Sequence, residues 1–277
     1  MKIVAVMITW NNLEFFKRAL QQALGFCDEV ILSEGCSSKD YPRRSTDGTC
    51  EFIETMRGHP KLKIMDVDYS EFKDASYIDT QWTTRKRLTK MAELFLPGNW
   101  YTAWDDDQFF FDEDLPKLKH AMETKDFNTL LFRERRFIYN FRFNTAGTGN
   151  WYFHRITAGH SFAPLMHLCY ADGTVYEKRK EKCNREDFYY FHYPYVKKPE
   201  RIKARWAMSI EKGTTASIGR FENWMKMEWD QEKDIVKYRK MIENMQGQGH
   251  FNIYPGPHPE VLDDHPWRHI EDVRLAA

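Results

Sequence analysis

Three adjacent carboxylates, Asp105, Asp106 and Asp107, mark the place in this 277-residue chain where chemistry is most expected. They follow the apolar run Trp100-Tyr101-Thr102-Ala103-Trp104 and precede Gln108-Phe109-Phe110-Phe111. Neighbouring acids repel one another and resist leaving water. Between aromatic blocks, a bound divalent cation is the simple way to keep them ionised. A hard cation held by few carboxylates keeps its remaining positions for oxygens such as those of phosphate. If the segment stays extended, alternation puts Asp105 and Asp107 on one side and Asp106 on the other.

The elements that must position these residues are legible before them. Ile3 to Ile8 is a continuous apolar run, the pattern of a strand buried on both faces. Leu13, Phe16, Leu20 and Ala23 then share one helical face, and Gly25 signals the helix end. Glu29 to Ser33 is a second strand, so the order implies parallel pairing through a right-handed crossover. The pattern predicts a further helix over Cys50–Met56, a strand over Leu62–Val67 and an amphipathic helix over Thr84–Phe95. Pro97-Gly98-Asn99 breaks that helix, and the strand Trp100–Trp104 delivers the aspartates at its carboxyl end. Open parallel sheets bind ligands there.

Beyond this point the pattern changes. Asp112 to Pro116 reads as an acidic helix start, Thr129–Phe132 and Phe137–Asn140 as strands, and Gly147-Thr148-Gly149-Asn150 as a turn. From Pro199 the chain reads as helical, with a long amphipathic stretch over Phe221–Met245. A soft boundary falls near residue 198.

Composition narrows the function. Basic and acidic residues balance at 41 each, which argues against non-specific nucleic-acid binding. The 5 cysteines form no CxxC pair, so neither a disulfide framework nor a zinc knuckle is indicated, and a cytoplasmic setting is expected. No signal-peptide order opens the chain, and no run of about 18 apolar residues suggests a membrane span. Aromatic residues make up 16%; most are expected in the core, with some as stacking platforms. The helix carrying Phe221, Trp224, Met225, Met227 and Trp229 is expected to pack on the catalytic domain or a second subunit, with peripheral membrane contact as the alternative.

Four segments together resemble the inverting glycosyltransferases of family 2, of GT-A type, and within them small soluble enzymes of lipopolysaccharide-core and surface-glycan synthesis. They are Met7-Ile8-Thr9-Trp10-Asn11-Asn12; Asp28 to Ser37 with Ser45-Thr46-Asp47-Gly48-Thr49 after an insertion; Arg85-Lys86-Arg87; and Trp104-Asp105-Asp106-Asp107-Gln108. The likeness covers residues 1 to about 115 and thins beyond. It implies an α/β fold: a GT-A-like, Rossmann-related, mostly parallel sheet with helices on both faces and a helical C-terminal extension. The catalytic domain would span 1–198, divided into a nucleotide-sugar half (1–115) and an acceptor half (116–198). The extension would span 199–277.

The resemblance also implies roles. Thr9, Trp10 and Asn11 would line the nucleotide site, and Glu34 would stand where the family has an aspartate on the nucleobase. Arg85 would steady the diphosphate, with Asp105 and Asp106 near ribose and diphosphate. Asp107, with Asp105 and a late His192, would hold Mn2+ or Mg2+, and basic residues after the histidine (here Lys197 and Lys198) would lie near the diphosphate. His154, His160 and His167 are rivals to His192. The catalytic base is an acid in an "ED" pair at a helix start in many relatives. Asp187 is the first choice here, then Glu186, with Asp172 as rival. Partners would be a UDP- or GDP-type nucleotide sugar and a saccharide or lipid-linked acceptor, with homodimerisation open. Two other readings stay open: a sugar nucleotidyltransferase, and an inactive GT-A-like binding protein. The first is weakened because Thr9-Trp10-Asn11-Asn12 has no glycine-rich loop.

Overall fold

Strand β1 (Ile3–Thr9) lies inside the sheet, with β2 (Glu29–Glu34) on one side and β4 (Trp100–Ala103) on the other, both parallel to it. A computed structural model of the chain describes residues 1–36, 41–66, 98–125, 129–138, 140–156, 161–162, 168–169, 183–204 and 251–269. The apolar run of β1 is buried on both faces, as its composition requires. Ile3, Ala5 and Met7 join one core cluster, whereas Val4 and Val6 join another with Ile31, Tyr101 and Ile156. Helix α1 (Leu13–Phe26) buries Phe15, Phe16, Ala19, Leu20 and Ala23 in the first cluster. Helix α2 (Thr49–Thr55) starts after Gly48, whose φ of 92° favours glycine. Strand β3 (Leu62–Ile64) pairs parallel with β2.

The second half reverses the expectation of a mostly parallel sheet. β6 (Thr129–Ile138) and β7 (Phe143–Arg155) pair antiparallel, and β7 pairs antiparallel with β4. β10 (Cys183–Tyr195) pairs parallel with β6 and antiparallel with the short β5 (Gln108–Phe109). β11 (Phe251–Ile253) adds antiparallel to β7. The sheet order is β3-β2-β1-β4-β7-β6-β10-β5. The fold is therefore α/β with a mixed sheet, parallel throughout its first half and mixed in its second, where only β6 and β10 pair parallel among the described residues. The cause is local: β6 and β7 follow one another through a short connection, and such neighbours pair antiparallel without a crossover helix. β8 (Ser161–Phe162) and β9 (Leu168–Cys169) form a separate small pair. Helix α3 (Asp114–Thr124) carries Pro116 in its first turn, as expected.

Three local expectations are corrected. Residues 129–132 and 137–138 belong to one strand, not two. The Gly147–Asn150 segment is not a turn but the interior of β7. Its register shifts there, since Arg133 pairs with Asn150 and Arg135 with Ala146, so the glycines mark a bulge. Glu186-Asp187 does not start a helix; it lies in β10, where register shifts between Arg185 and Tyr189. Aromatic residues over Phe188–Tyr195 favour a strand.

The described end of the chain is built into the main core. Residues 199–204 are helical. Tyr193, Phe137, Phe141 and Phe15 pack with His258, His265 and Trp267 from the C-terminal segment. Residues 205–250, which hold the expected long amphipathic helix, lie outside the described residues. Among the described residues, no helix is long and apolar enough to cross a membrane.

Candidate functional site

The carboxyl ends of β1, β2 and β4 lie side by side, because these strands are neighbours and parallel. Backbone bonds fix the aspartate segment against them: Trp104 N–H donates to Val6 O at 3.0 Å and Tyr193 N–H to Asp107 O at 3.0 Å. The segment is not extended. Gln108 N–H donates back to Asp105 O at 3.2 Å, which closes a turn. The alternation expected of a strand is therefore lost. Asp106 and Asp107 share a partner, and Asp105 is half-buried.

That partner is Lys197, from the segment after β10. Its Nζ lies 2.5 Å from Asp107 Oδ2 and 4.0 Å from Asp106 Oδ1. Lys197 is 2% exposed, so the pairing is shielded from water. Thr9, the last residue of β1, donates its hydroxyl to Asp106 Oδ2 at 2.7 Å, and Asn12 Nδ2 donates to Asp106 O at 3.4 Å. Burial raises the Asp106 pKa above the usual carboxylate range; Lys197 opposes the rise and Asp107 adds to it.

His192 stands on the other side of Asp107. Its Nε2 lies 3.2 Å from Asp107 Oδ1, and its Nδ1 lies 2.5 Å from Glu134 Oε1 on β6. Burial disfavours its charged form, but the carboxylates of Asp107 and Glu134 outweigh burial and raise its pKa. Glu134 is held in turn by Arg136, whose Nε and Nη2 donate to its two oxygens at 2.9 and 2.7 Å. Burial pushes the Glu134 pKa up, yet His192 and Arg136 bring it down to about 2. The result is a continuous line of charge from Arg136 through Glu134, His192 and Asp107 to Lys197.

A cavity of about 420 Å³ adjoins this line. Trp10, Asn11, Tyr41, Lys197, Lys198 and Arg201 help to line it. Trp10 meets Tyr41 edge-on at 5.8 Å and carries the Arg201 guanidinium 4.9 Å from its ring centre. Trp10 Nε1 donates to Pro42 O at 3.0 Å, so the inserted loop forms part of the wall. Asn11 adopts φ 46°, a conformation asparagine tolerates better than most residues. It accepts from Thr46 N–H at 2.7 Å and donates its own N–H to Ser45 Oγ at 2.8 Å. Asp47 accepts from Leu13 N–H at 2.9 Å and from Thr49 N–H at 3.1 Å, as a turn and cap residue does.

Glu34, the residue expected at the nucleobase, is engaged by the chain itself. It is buried, and its Oε1 accepts from Ser45 N–H at 2.8 Å and from Ser45 Oγ at 2.6 Å. Arg44 Nε lies 3.2 Å from its Oε2. The longer side chain of glutamate reaches under the insertion and fixes it.

Of the residues expected from the sequence, Thr9, Trp10, Asn11, Asp106, Asp107 and His192 converge at this site. Asp187 and Glu186 are placed only as residues of β10. Arg85 and Asp172 lie outside the described residues, as do the rival histidines His160 and His167. His154 is elsewhere, bonded through Nδ1 to Thr129 Oγ1 at 3.1 Å. Glu134, Arg136 and Arg201 were not legible as site residues. Their one signal is Glu134 as the single acid among the arginines of Arg133-Glu134-Arg135-Arg136.

The Mn2+ or Mg2+ expected on Asp107, Asp105 and His192 does not fit this donor set as arranged. Both Asp107 oxygens face nitrogen groups, His192 on one side and Lys197 on the other. A divalent ion at Oδ2 would have to expel a buried ammonium.

Comparison with protein-family models finds no match, and comparison with curated proteins finds none. The site must be interpreted from its own geometry.

Proposed function

We propose that the chain is a glycosyltransferase of GT-A type that moves a sugar from a nucleoside-diphosphate sugar to an acceptor hydroxyl with inversion. The observation that carries this reading is the position of Lys197: it pairs with Asp106 and Asp107 at the ends of parallel strands and also lines the adjoining cavity. That cavity offers a flat aromatic ring, Trp10, and three cationic side chains, Lys197, Lys198 and Arg201. A nucleobase stacks on the former, and a diphosphate pairs with the latter.

The reaction is a direct displacement at the anomeric carbon. The acceptor oxygen attacks from the face opposite the leaving nucleoside diphosphate, and the carbon inverts. Negative charge growing on the leaving diphosphate falls beside Lys197, Lys198 and Arg201, where preorganised cations act most strongly. The acceptor proton goes to a carboxylate of the Glu186-Asp187 pair, Asp187 first. The acceptor is a saccharide, free or lipid-linked.

The test is direct. UDP- and GDP-sugars, with and without Mn2+, are incubated with the protein, and free nucleotide is measured alongside UDP and GDP binding. Binding weakened about tenfold in Trp10→Ala, consistent with loss of one stacking contact, supports the reading. Failure of both nucleotides to bind and of every donor to turn over removes it. Asp187→Asn should abolish transfer and leave donor binding intact; near wild-type turnover would take Asp187 out of the role.

A further inference from the structure

We propose that Lys197 supplies the positive charge at the aspartate pair, so that nucleotide binding at this site needs no divalent cation. The identity of the ligand rests on the transferase reading; the position of the charge does not.

The three-carboxylate segment demands a cation, since buried acids stay ionised only beside compensating charge. The structure supplies one from the chain itself. Lys197 Nζ reaches both Asp107 Oδ2 and Asp106 Oδ1, and the other oxygens of the pair face His192 Nε2 and Thr9 Oγ1. Three of the four carboxylate oxygens of Asp106 and Asp107 thus have a close nitrogen or hydroxyl partner from the chain, and the fourth, Asp106 Oδ1, lies within ion-pair range of Lys197. The lysine is fixed, not adventitious. Val196 N–H donates to Tyr193 O at 3.4 Å, and Arg201 and Ile202 donate their N–H groups to Lys198 O at 3.0 and 3.2 Å. The short link between β10 and helical residues 199–204 is thereby held on both sides of Lys197.

The same link presents the charge to the cavity. Lys197, Lys198 and Arg201 all line it, and Arg201 is steadied over the Trp10 ring. An ammonium bonded to one carboxylate, within ion-pair range of a second and bordering a pocket with two further cations does what a divalent ion would do there. It neutralises the acids and offers positive charge to diphosphate oxygens. It differs in being covalently tethered, so a chelator cannot remove it.

The experiment compares wild type with Lys197→Met by calorimetry. UDP and GDP are titrated in EDTA and in Mn2+, and Mn2+ is titrated alone. Wild-type nucleotide affinity should agree within about twofold in the two conditions. Lys197→Met should lose at least about tenfold in EDTA. It should also bind Mn2+ more tightly than wild type, because Asp107 Oδ2 is released. Wild-type nucleotide affinity that collapses in EDTA overturns the proposal, as does equal Mn2+ affinity in the two proteins. If neither nucleotide binds in any condition, the transferase reading fails, while the Mn2+ comparison still decides the role of Lys197. Should Lys197→Met not fold, wild-type Mn2+ binding decides it. Micromolar binding that Asp107→Asn abolishes overturns the proposal, and its absence at that level supports it.

Discussion

Glu134 Oε1 lies 2.5 Å from His192 Nδ1, although the two residues are 58 positions apart and sit on neighbouring strands. The strands on both sides of Glu134 are irregular near it. β7 shifts register opposite the step from Arg133 to Arg135, and β10 shifts between Arg185 and Tyr189. Such bulges re-aim side chains. The carboxylate fixes the imidazole while Arg136 fixes the carboxylate. Glu134→Gln leaves the Arg136 guanidinium without its carboxylate and leaves His192 with Asp107 alone. Urea unfolding should show a loss of about 3 kcal/mol, the usual cost of breaking a buried pair from one side. Arg136→Met added to that variant should recover part of the loss. A single-variant loss below about 0.5 kcal/mol would show that the pair does not support the fold.

The Thr9 hydroxyl bonds a different carboxylate, Asp106, across 97 positions. Hydrogen bonds to buried charge contribute about 1.5–3 kcal/mol. Thr9→Val keeps the shape of β1 and removes the donor, so stability should fall by about that amount. Thr9→Ser should retain most of it. Chemical denaturation of the three proteins checks the order; equal stability of the valine and serine variants would show that the bond contributes nothing.

The first half of the fold was legible because each element signals its neighbour. The β1 run, the Leu13–Ala23 periodicity and the β2 run specify a crossover unit, and the turn residues lie between them. The aspartates were legible for the same reason, being placed by the strand just before them. The rest depends on partners distant in sequence. Lys197 meets Asp107 and Tyr193 meets His258 across long separations, and neither pairing leaves a local pattern. The Gly147–Asn150 segment carries turn residues, yet glycine also serves a bulge, and only the flanking pairing with β6 distinguishes the two. The turn at Asp105–Gln108 removed the alternation that would have put Asp105 and Asp107 on one side and Asp106 on the other.

Glu34 gives a prediction about the insertion. Its bonds to Ser45, with Arg44 beside it, tie residues 43–47 to the end of β2. Ser45 and Thr46 in turn bond Asn11 in the cavity wall. Glu34→Ala should therefore speed amide exchange at Asn11, Ser45 and Thr46, and weaken nucleotide binding without changing the preference between UDP and GDP. A changed preference with unchanged exchange would return Glu34 to the role of base contact. Glu34→Gln keeps one acceptor and should lie between alanine and wild type.

Acid sensitivity follows from two histidines in the aromatic core. Burial lowers the pKa of His258 and of His265 from 6.5 to about 3, and nearby arginines add to it: Arg268 and Arg135 at His258, Arg18 and Arg268 at His265. A depressed folded-state value means that the unfolded chain binds more protons between about 3 and 6.5. Stability from these groups is complete above about 6.5 and is lost as pH falls toward 3. Glu134 adds in the same direction, since its value falls from 4.5 to about 2, but its contribution is lost only at lower pH. His265 is the better site to test. It packs between Phe15, Phe141 and Trp267, and its Nε2 has no hydrogen-bond partner among the described residues. His265→Phe preserves that packing and forfeits only the bond from Trp267 N–H. Unfolding free energies measured from pH 7.5 to 4.5 should fall less steeply in His265→Phe than in wild type. Identical slopes would mean that His265 takes up no proton on unfolding, and would exclude it as a source of the acid sensitivity.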